Sequence, residues 1–292
     1  MKLIEILKQD TLSLSFEVFP PKVDAAWDSV HSAVREIAKL QPAFMSVTYG
    51  AGGGTSKYTL DIAREIKAEH GVPSLAHLTC VSSTRETVHA RIEDIKRAGI
   101  ENVMALRGDI PQDMLGADRS GWSYHYAVDL IRELKESGAG FCIGGACYPE
   151  VHPESINQKE DIKHLKEKIE AGCEFLTTQM FFDNGTLYNF LYRALRAGID
   201  VPVCAGIMPI TTARQVERAV KLSGSIMPPR FASIADRFGD DPAAMTQAGI
   251  AYATEQIIDL VANGITNIHL YTMNKPWVTR AIVDNLSSII HM

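Results

Sequence analysis

The sequence is poor in cysteine and lacks the spacings that pair cysteines or bind zinc. It has five cysteines in 292 residues, no Cys-x-x-Cys pair and no His-Glu-x-x-His. An odd number of cysteines, most of them within apolar runs, is typical of reduced core thiols. The alternative ligand sets, His77 with Cys80 and Cys147 with His152, do not have a recognised zinc spacing. We therefore expect a cytoplasmic protein without a bound metal.

Long apolar runs and blocks of basic residues are also missing. No stretch approaches the ~18 apolar residues that a membrane-spanning helix needs, and the net charge is −6. The segment Met1–Lys8 is predicted to be a short amphipathic helix. It lacks the continuous apolar core of a signal peptide. These features argue against a membrane or a nucleic acid as the partner.

Motifs of two other enzyme classes are absent. There is no Gly-x-Ser-x-Gly, so a serine nucleophile on a hydrolase turn is not indicated. The glycine-rich segment Gly50–Gly54 does not have the Gly-x-Gly-x-x-Gly spacing that binds a dinucleotide in a doubly wound sheet. It is either a flexible loop or a backbone surface that a flat or phosphorylated ligand approaches closely.

The chain does contain a regular alternation of apolar runs and amphipathic segments. With 46% hydrophobic residues, its length fits two domains or one α/β barrel of about 250 residues. The predicted strands are Leu12–Val18, Ala43–Thr48, Ser74–Leu78, Asn102–Leu106, Gly140–Ala146, Phe175–Gln179, Val201–Ile207 and Asn267–Tyr271. The predicted helices are 25–40, 57–70, 84–98, 124–137, 158–171, 186–197, 211–222, 242–263 and 275–290.

Eight strands alternating with helices predict a closed (β/α)8 barrel, with a doubly wound open sheet as the alternative. Four of the helices are followed by glycine, as at Gly99, which is typical of helix C-terminal caps. The longest gap between strands, Ser223–Asp241, contains the breaker Met227–Arg230 and a short extra helix, Phe231–Phe238. No repeat or linker divides the chain, so one domain is expected over residues 1–292.

Charged residues follow two of the predicted strands. Ser15–Lys22 contains Glu17 beside a Pro-Pro turn, and Ala105–Asp109 ends in Arg, Gly and Asp. Because chemistry in a barrel gathers at the carboxyl ends of the strands, Glu17 and Asp109 are expected to face one pocket. Each has a structural alternative: Glu17 as an ion-pair partner beside the turn, and Asp109 as a cap of the following segment.

Polar groups follow the other strands as well. They include Thr48 and Tyr49, His77, Tyr148 and His152, Gln179, and Tyr271 with Lys275. His77 on an apolar strand is compatible with a hydrogen-bonded core histidine as well as with a functional one. The tyrosines are compatible with packing at the barrel mouth.

Taken in order, these strand ends resemble the methylenetetrahydrofolate reductases of bacterial type, from about residue 12 onward. The motifs that carry the resemblance are Phe16-Glu17-x-Phe19-Pro20-Pro21, Ser46–Ala51, His77–Cys80, Ala105–Asp109, Tyr148–Glu154, Thr178-Gln179-x-Phe181-Phe182-Asp183, Gly206-Ile207-x-Pro209 and Tyr271–Asn274. The resemblance implies a flavin-containing barrel of one-carbon metabolism. Hydride would pass from NADH or NADPH to the flavin, and then to 5,10-methylenetetrahydrofolate, giving 5-methyltetrahydrofolate in a ping-pong cycle.

The resemblance also implies a role for each matching residue. Glu17 is the acid that protonates the leaving nitrogen of the folate, and Asp109 stabilises the iminium cation that ring opening leaves. The implied flavin contacts are Tyr49, Ala51, His77, Arg107, Gly108, Asp109, Tyr126, Ala127, Tyr148, His152, Asp161, His164 and Lys168. The implied folate or nicotinamide contacts are Thr48, Asp109, Gln179, Gln215, Tyr271 and Lys275.

Four positions depart from the family pattern. His164 and Glu167 replace Asn and Arg, Lys275 replaces Arg, and Ala219 replaces a Phe that contacts substrate. Loss of an Arg near a pyrophosphate removes a bidentate donor. FAD is the expected cofactor, with FMN as the alternative, and a homo-oligomer is expected. Competing hypotheses are a catalytic subunit reduced by a partner flavoprotein, a flavin-free folate methyl-transfer barrel and a flavin barrel that oxidises an amino acid such as proline.

Overall fold

The computed structural model describes residues 1–49, 56–110, 114, 116, 118–119 and 121–290. Eight parallel strands pair in chain order, and the first also pairs with the last, which closes a barrel. The strands are β1 (Ser13–Val18), β2 (Met45–Val47), β3 (Ser74–Thr79), β4 (Asn102–Leu106), β5 (Cys142–Cys147), β6 (Phe175–Thr178), β7 (Val203–Ile207) and β8 (Asn267–Tyr271). The predicted barrel is confirmed, and the open sheet is excluded.

Helices cover the outside of the barrel and its base. They are α1 (Leu3–Leu7), α2 (Trp27–Ala38), α3 (Ser56–His70), α4 (Arg85–Arg97), α5 (Ala127–Glu136), α6 (Gln158–Glu170), α7 (Asn184–Arg196), α8 (Ala213–Ser223), α9 (Pro229–Phe238), α10 (Pro242–Ala262) and α11 (Pro276–Asn285). A single 3-10 turn, Asp24–Ala26, precedes α2. Helix α9 confirms the predicted extra segment between the seventh and eighth strands, and it begins with a proline, whose fixed φ suits the first helical position.

The two faces of a strand have different surroundings. In β1, Leu14, Phe16 and Val18 belong to the apolar layer between the barrel and its helices. Successive side chains of a strand point to opposite faces, so Ser15 and Glu17 face the barrel interior. The polar lining of the barrel therefore comes from alternation within the strands as well as from the loops.

The short helix α1 closes the amino-terminal end of the barrel. Leu3 and Leu7 pack with Phe44 and Phe175 in a separate apolar cluster at this end. The backbone N–H of Leu3 donates to Asn102 Oδ1 at 2.9 Å, which ties the helix to β4. The predicted helix within Met1–Lys8 is thus confirmed. With this end filled, the barrel is open at the carboxyl ends of the strands.

The limits of β4 and β8 are as predicted, and those of the other strands differ by one or two residues, for local reasons. Strand β5 begins at Cys142 because Gly140 has a φ of +69°, outside the extended region. Strand β7 begins at Val203, after Pro202, which has no N–H to donate to a ladder. Gly99 has a φ of +68°, as a left-handed C-terminal cap requires.

The thiols behave as the sequence predicts. All five cysteines are buried and unpaired. Burial raises the pKa of Cys80, Cys173 and Cys204 to about 12 in each case, so they are neutral near pH 7. Among the described residues, no helix has the length and apolar character needed to cross a membrane.

Candidate active site

A cavity of about 710 Å³ opens at the carboxyl ends of the strands. Most of the residues singled out from the sequence line it. These are Glu17, Thr48, Tyr49, His77, Arg107, Gly108, Asp109, Tyr126, Ala127, Tyr148, His152, Asp161, His164, Lys168, Gln179 and Tyr271. Both predicted carboxylates therefore face the same cavity.

Glu17 lies on the inner face of β1 and is only 7% exposed. Its Oε2 atom is 3.4 Å from the hydroxyl of Ser46. The same oxygen is 3.6 Å from Nε2 of His77 and 3.6 Å from Nε2 of His269. The carboxylate is therefore held between two imidazoles, and a hydroxyl lies within donating distance.

Hydrogen bonds fix the tautomer of His269. The hydroxyl of Ser15 donates to the carbonyl of Ile268 at 3.0 Å, so its oxygen accepts from Nδ1–H of His269 at 2.8 Å. Nε2 then faces Ser46 Oγ at 3.2 Å. Ser46 has one proton to donate, either to His269 or to Glu17, so it makes one of these two hydrogen bonds at a time as donor.

His77, on β3, is the second imidazole beside Glu17. Burial lowers its pKa, an effect that the Glu17 charge opposes in part, so the neutral imidazole is favoured near pH 7. Its Nε2 atom is buried and has no hydrogen-bond partner among the described residues. An unsatisfied polar atom on a cavity wall is available to a ligand.

Asp109 is carried by a sharp turn after β4. Gly108 has a φ of +90°, and a Cβ atom there would lie 2.9 Å from Val81 Cγ1 and 3.0 Å from Thr79 Cβ. The turn is held by the N–H of Val81, which donates to the carbonyl of Arg107 at 2.7 Å. Asp109 itself is exposed at the cavity mouth.

Two cations lie on the same side of the cavity. Arg107 forms a two-point ion pair with Glu154, at 2.5 and 2.7 Å. Lys168 on α6 is partly buried and donates to the carbonyl of Ala146 at 2.9 Å. Desolvation lowers the pKa of Lys168. A partly buried ammonium with one neutral acceptor is well placed to take an anionic partner.

Aromatic rings flank these cations. Tyr148 meets His152 edge to face, with ring centroids 4.6 Å apart. Farther out, Tyr126 and His164 are nearly parallel, at 6.3 Å and 14°. His164 Nδ1 is also 3.2 Å from a carboxylate oxygen of Glu167. The outer cavity thus offers stacking surfaces together with a carboxylate.

Gln179 and Tyr271 line the cavity from β6 and β8. The carbonyl oxygen of Gln179 accepts from the N–H of Met180 at 2.9 Å, which leaves the NH2 group for a ligand. Tyr271 donates its hydroxyl proton to the carbonyl of Thr178 at 2.5 Å. A Cβ atom at Gly206 would lie 2.6 Å from that hydroxyl, so Gly206 makes room for the tyrosine.

Two of the expected site residues, Gln215 and Lys275, are not brought into the cavity lining. Gln215 caps α8, where its side-chain oxygen accepts from the N–H groups of Thr211 and Thr212 at 2.9 and 3.1 Å. Lys275 donates to Thr211 Oγ1 at 2.9 Å, beside that cap. Ala51 lies outside the described residues. For these three, contact with a ligand stays a prediction.

Two residues near Glu17, Ser46 and His269, are not among the site residues that the sequence predicts. Ser46 is the register partner of Glu17 across β1 and β2, and His269 is the partner of Ser15 across β1 and β8. The signal in the sequence is the polar-apolar alternation Asn267-Ile268-His269-Leu270-Tyr271. Among the described residues, no group of three His, Cys, Asp or Glu side chains is arranged to hold a metal ion.

This arrangement defines the class of protein. A closed parallel barrel whose carboxyl edge brings carboxylates, imidazoles and two cations into one cavity is a (β/α)8-barrel enzyme. The sequence model of the methylenetetrahydrofolate reductase family matches residues 2–287. The chain belongs to this family, and it is accordingly an oxidoreductase.

Individual relatives agree with the family assignment. The 5,10-methylenetetrahydrofolate reductases of Pectobacterium carotovorum and Escherichia coli K12 are each 34% identical over 278 residues. These alignments cover 95% of this chain, and 91% and 92% of the two relatives. An Arabidopsis thaliana methylenetetrahydrofolate reductase (NADH) is 32% identical over 99% of this chain and 50% of its own length.

One solved structure shares the fold at low sequence identity. It is a Clostridium thermocellum protein described as binding two copies of 5-methyl-5,6,7,8-tetrahydrofolic acid. It matches with a TM-score of 0.63 and 13% identity, over 100% of this chain and 99% of its own. At that identity the match concerns the fold.

Proposed function

We propose that the protein is a flavin-dependent 5,10-methylenetetrahydrofolate reductase that takes its electrons from NADH or NADPH. The observation that carries the proposal is the placement of Glu17 and Asp109 on one cavity in a member of this family. The names of the relatives support the substrate. We further propose one flavin-binding domain over the whole chain, a homo-oligomer and a cytoplasmic location.

The residues of the outer cavity fit a flavin with a phosphate tail. His77 presents an unsatisfied buried nitrogen, and Lys168 presents a partly buried ammonium with one neutral acceptor. Tyr148 and Tyr126 would flank the cofactor. When bound, the flavin would accept hydride from the nicotinamide and donate it to the folate. FAD is the proposed form, and FMN is the alternative.

Glu17 would supply the proton for opening the five-membered ring of the folate. The bond between the bridging carbon and the leaving nitrogen breaks as that nitrogen takes a proton. A carboxylic acid on the cavity wall can deliver this proton to the nitrogen. Ser46, whose hydroxyl lies 3.4 Å from Oε2 of Glu17, would hold the carboxyl group in place.

Asp109 would stabilise the positive charge that ring opening creates. The bridging carbon becomes part of an iminium cation, and a fixed carboxylate stabilises that cation better than mobile water does. Gly108 and the turn at Val81 position the backbone that carries Asp109 at the cavity mouth. Thr48, Gln179 and Tyr271 would bind the folate and the nicotinamide in turn on one face of the cofactor. Gln215 and Lys275 would contact the outer part of the folate.

An anaerobic visible spectrum of the purified protein, before and after addition of 5-methyltetrahydrofolate, tests the proposal. We expect a flavin spectrum that the folate bleaches, and NADH and NADPH can then be ranked on the same sample. A colourless protein after incubation with FAD and FMN would favour the flavin-free barrel. A flavin that the folate cannot reduce would favour amino-acid oxidation, and one that NADH and NADPH cannot reduce would favour a partner flavoprotein.

A further inference from the structure

All three nitrogens of the Arg107 guanidinium donate hydrogen bonds to the protein itself. Its two terminal nitrogens donate to the two carboxylate oxygens of Glu154, and its Nε donates to the carbonyl of Gly108 at 3.2 Å. The ion pair raises the pKa of Arg107 and lowers that of Glu154, so both groups are charged near pH 7. An anion that enters the cavity finds this cation already neutralised.

The described lining of the cavity contains few cations. Arg107 and Lys168 are its only lysine or arginine residues, against six aspartate and glutamate residues. Both are partly buried, and Arg107 borders the turn that carries Asp109. A dianionic ligand among these carboxylates needs Arg107 as well as Lys168, because one ammonium neutralises one charge.

Glu154 is placed so that its carboxylate can leave. Its side chain is 49% exposed, while that of Arg107 is 18% exposed. Its backbone N–H is fixed by His152 Nδ1 at 3.0 Å, so the side chain can turn to solvent without moving the loop. Exchange of an exposed carboxylate for a phosphate on the same guanidinium retains the bidentate geometry.

We propose that Glu154 is an internal counter-ion that competes with the cofactor phosphate for Arg107, and so determines how strongly the site prefers a phosphorylated flavin. The inference rests on the proposed flavin cofactor. FMN and FAD must displace the Glu154 carboxylate from Arg107. Riboflavin has no phosphate and leaves the ion pair intact.

The test is a set of flavin titrations of the cofactor-free full-length protein, followed by quenching of flavin fluorescence. We expect Glu154→Gln to raise the affinity for FAD and FMN about tenfold and to leave riboflavin within about twofold, because the neutral amide competes poorly for the guanidinium. The matched control is Glu160→Gln, which removes a carboxylate of the same cavity lining that is 3.6 Å from Lys163.

The outcomes are distinguishable. If Glu154→Gln weakens the binding of FAD and FMN, Glu154 is a support for Arg107, and the inference is wrong. If Glu154→Gln and Glu160→Gln raise the affinity for FAD and FMN equally, the cause is the loss of one negative charge anywhere in the cavity. That result also overturns the inference. Flavin binding with an unchanged FAD-to-riboflavin ratio overturns this inference alone. A wild-type protein that binds none of the three flavins would overturn the proposed cofactor, and this inference with it.

Discussion

At the scale of single residues, the environment of Glu17 depends on pairing between strands. Sequence reasoning selected Glu17 because it ends an apolar run, and the structure places it on the cavity. It did not select Ser46 or His269, since their proximity to Glu17 follows from the register of β1 with β2 and β8. Residues more than 200 positions apart meet there, and no local pattern encodes that register.

Replacing Glu17 with glutamine should separate the two halves of the proposed reaction. The amide retains the size of the side chain but cannot donate the acidic proton. We expect bound flavin and its reduction by the nicotinamide to be retained, and folate turnover to fall by about 10²- to 10⁴-fold, the range that general acid catalysis contributes. Stopped-flow absorbance of the flavin measures each half separately.

The matched control for that variant is Ser13→Ala, on the same strand and the same inward face. Ser13 is buried near the closed end of the barrel and does not line the cavity. Both half-reactions should be unchanged in this variant. Normal folate turnover in Glu17→Gln would show that another group is the acid.

At the scale of elements, the strand limits are predicted to within two residues, whereas the last predicted helix, 275–290, already ends at Asn285 as α11. Amphipathic periodicity and glycine caps located α4, α6 and α7 to within a few residues. The limits of β5 and β7 were set by a left-handed glycine and by a proline beside the ladder. The position of α1 under the barrel also has no sequence signal, because its partners Phe44, just before β2, and Phe175, in β6, are far apart in the chain.

Strand β5 contains a glycine that the barrel interior requires. A Cβ atom at Gly144 would lie 2.4 Å from Phe175 Cζ and 2.7 Å from Cε2, and Phe175 is fully buried. We expect Gly144→Ala to lower the free energy of unfolding by about 1–3 kcal/mol, the usual cost of overpacking a core. Urea unfolding measures the change.

A second glycine provides the comparison for β5. A Cβ atom at Gly121 would meet no heavy atom of the described residues within 4 Å. Gly121→Ala should therefore leave the free energy of unfolding within about 0.5 kcal/mol of wild type, as is usual for a surface substitution. Equal stability of the two variants would mean that Phe175 relaxes at no cost.

At the scale of the whole molecule, buried histidines predict a dependence of stability on pH. Burial lowers the pKa of His77 and, together with Arg107, that of His152. Below the ordinary histidine value of about 6.5, the unfolded chain binds protons that the folded one does not. The free energy of unfolding should therefore fall as the pH decreases from about 6.5 through the lowered values.

His77→Gln should reduce the slope of that decline, and His125→Gln, at an exposed position, should leave it unchanged. Urea unfolding from about pH 5 to about pH 8 measures both. Parallel profiles for wild type and His77→Gln would show that protonation of His77 does not contribute. Carboxylates whose pKa is lowered by pairing, such as Glu154, lose their contribution only at lower pH.

The sequence by itself determined the alternation of eight strands and their helices, the class of fold, and the strand ends at which polar groups gather. It could do so because periodicity and strand-end charge are local properties of the chain. Only the tertiary structure decided that Ser46 and His269 contact Glu17, that Arg107 is paired with Glu154, and that Gln215 and Lys275 meet at Thr211 instead of in the cavity lining. Those contacts depend on register and closure of the barrel, which join distant segments through packing.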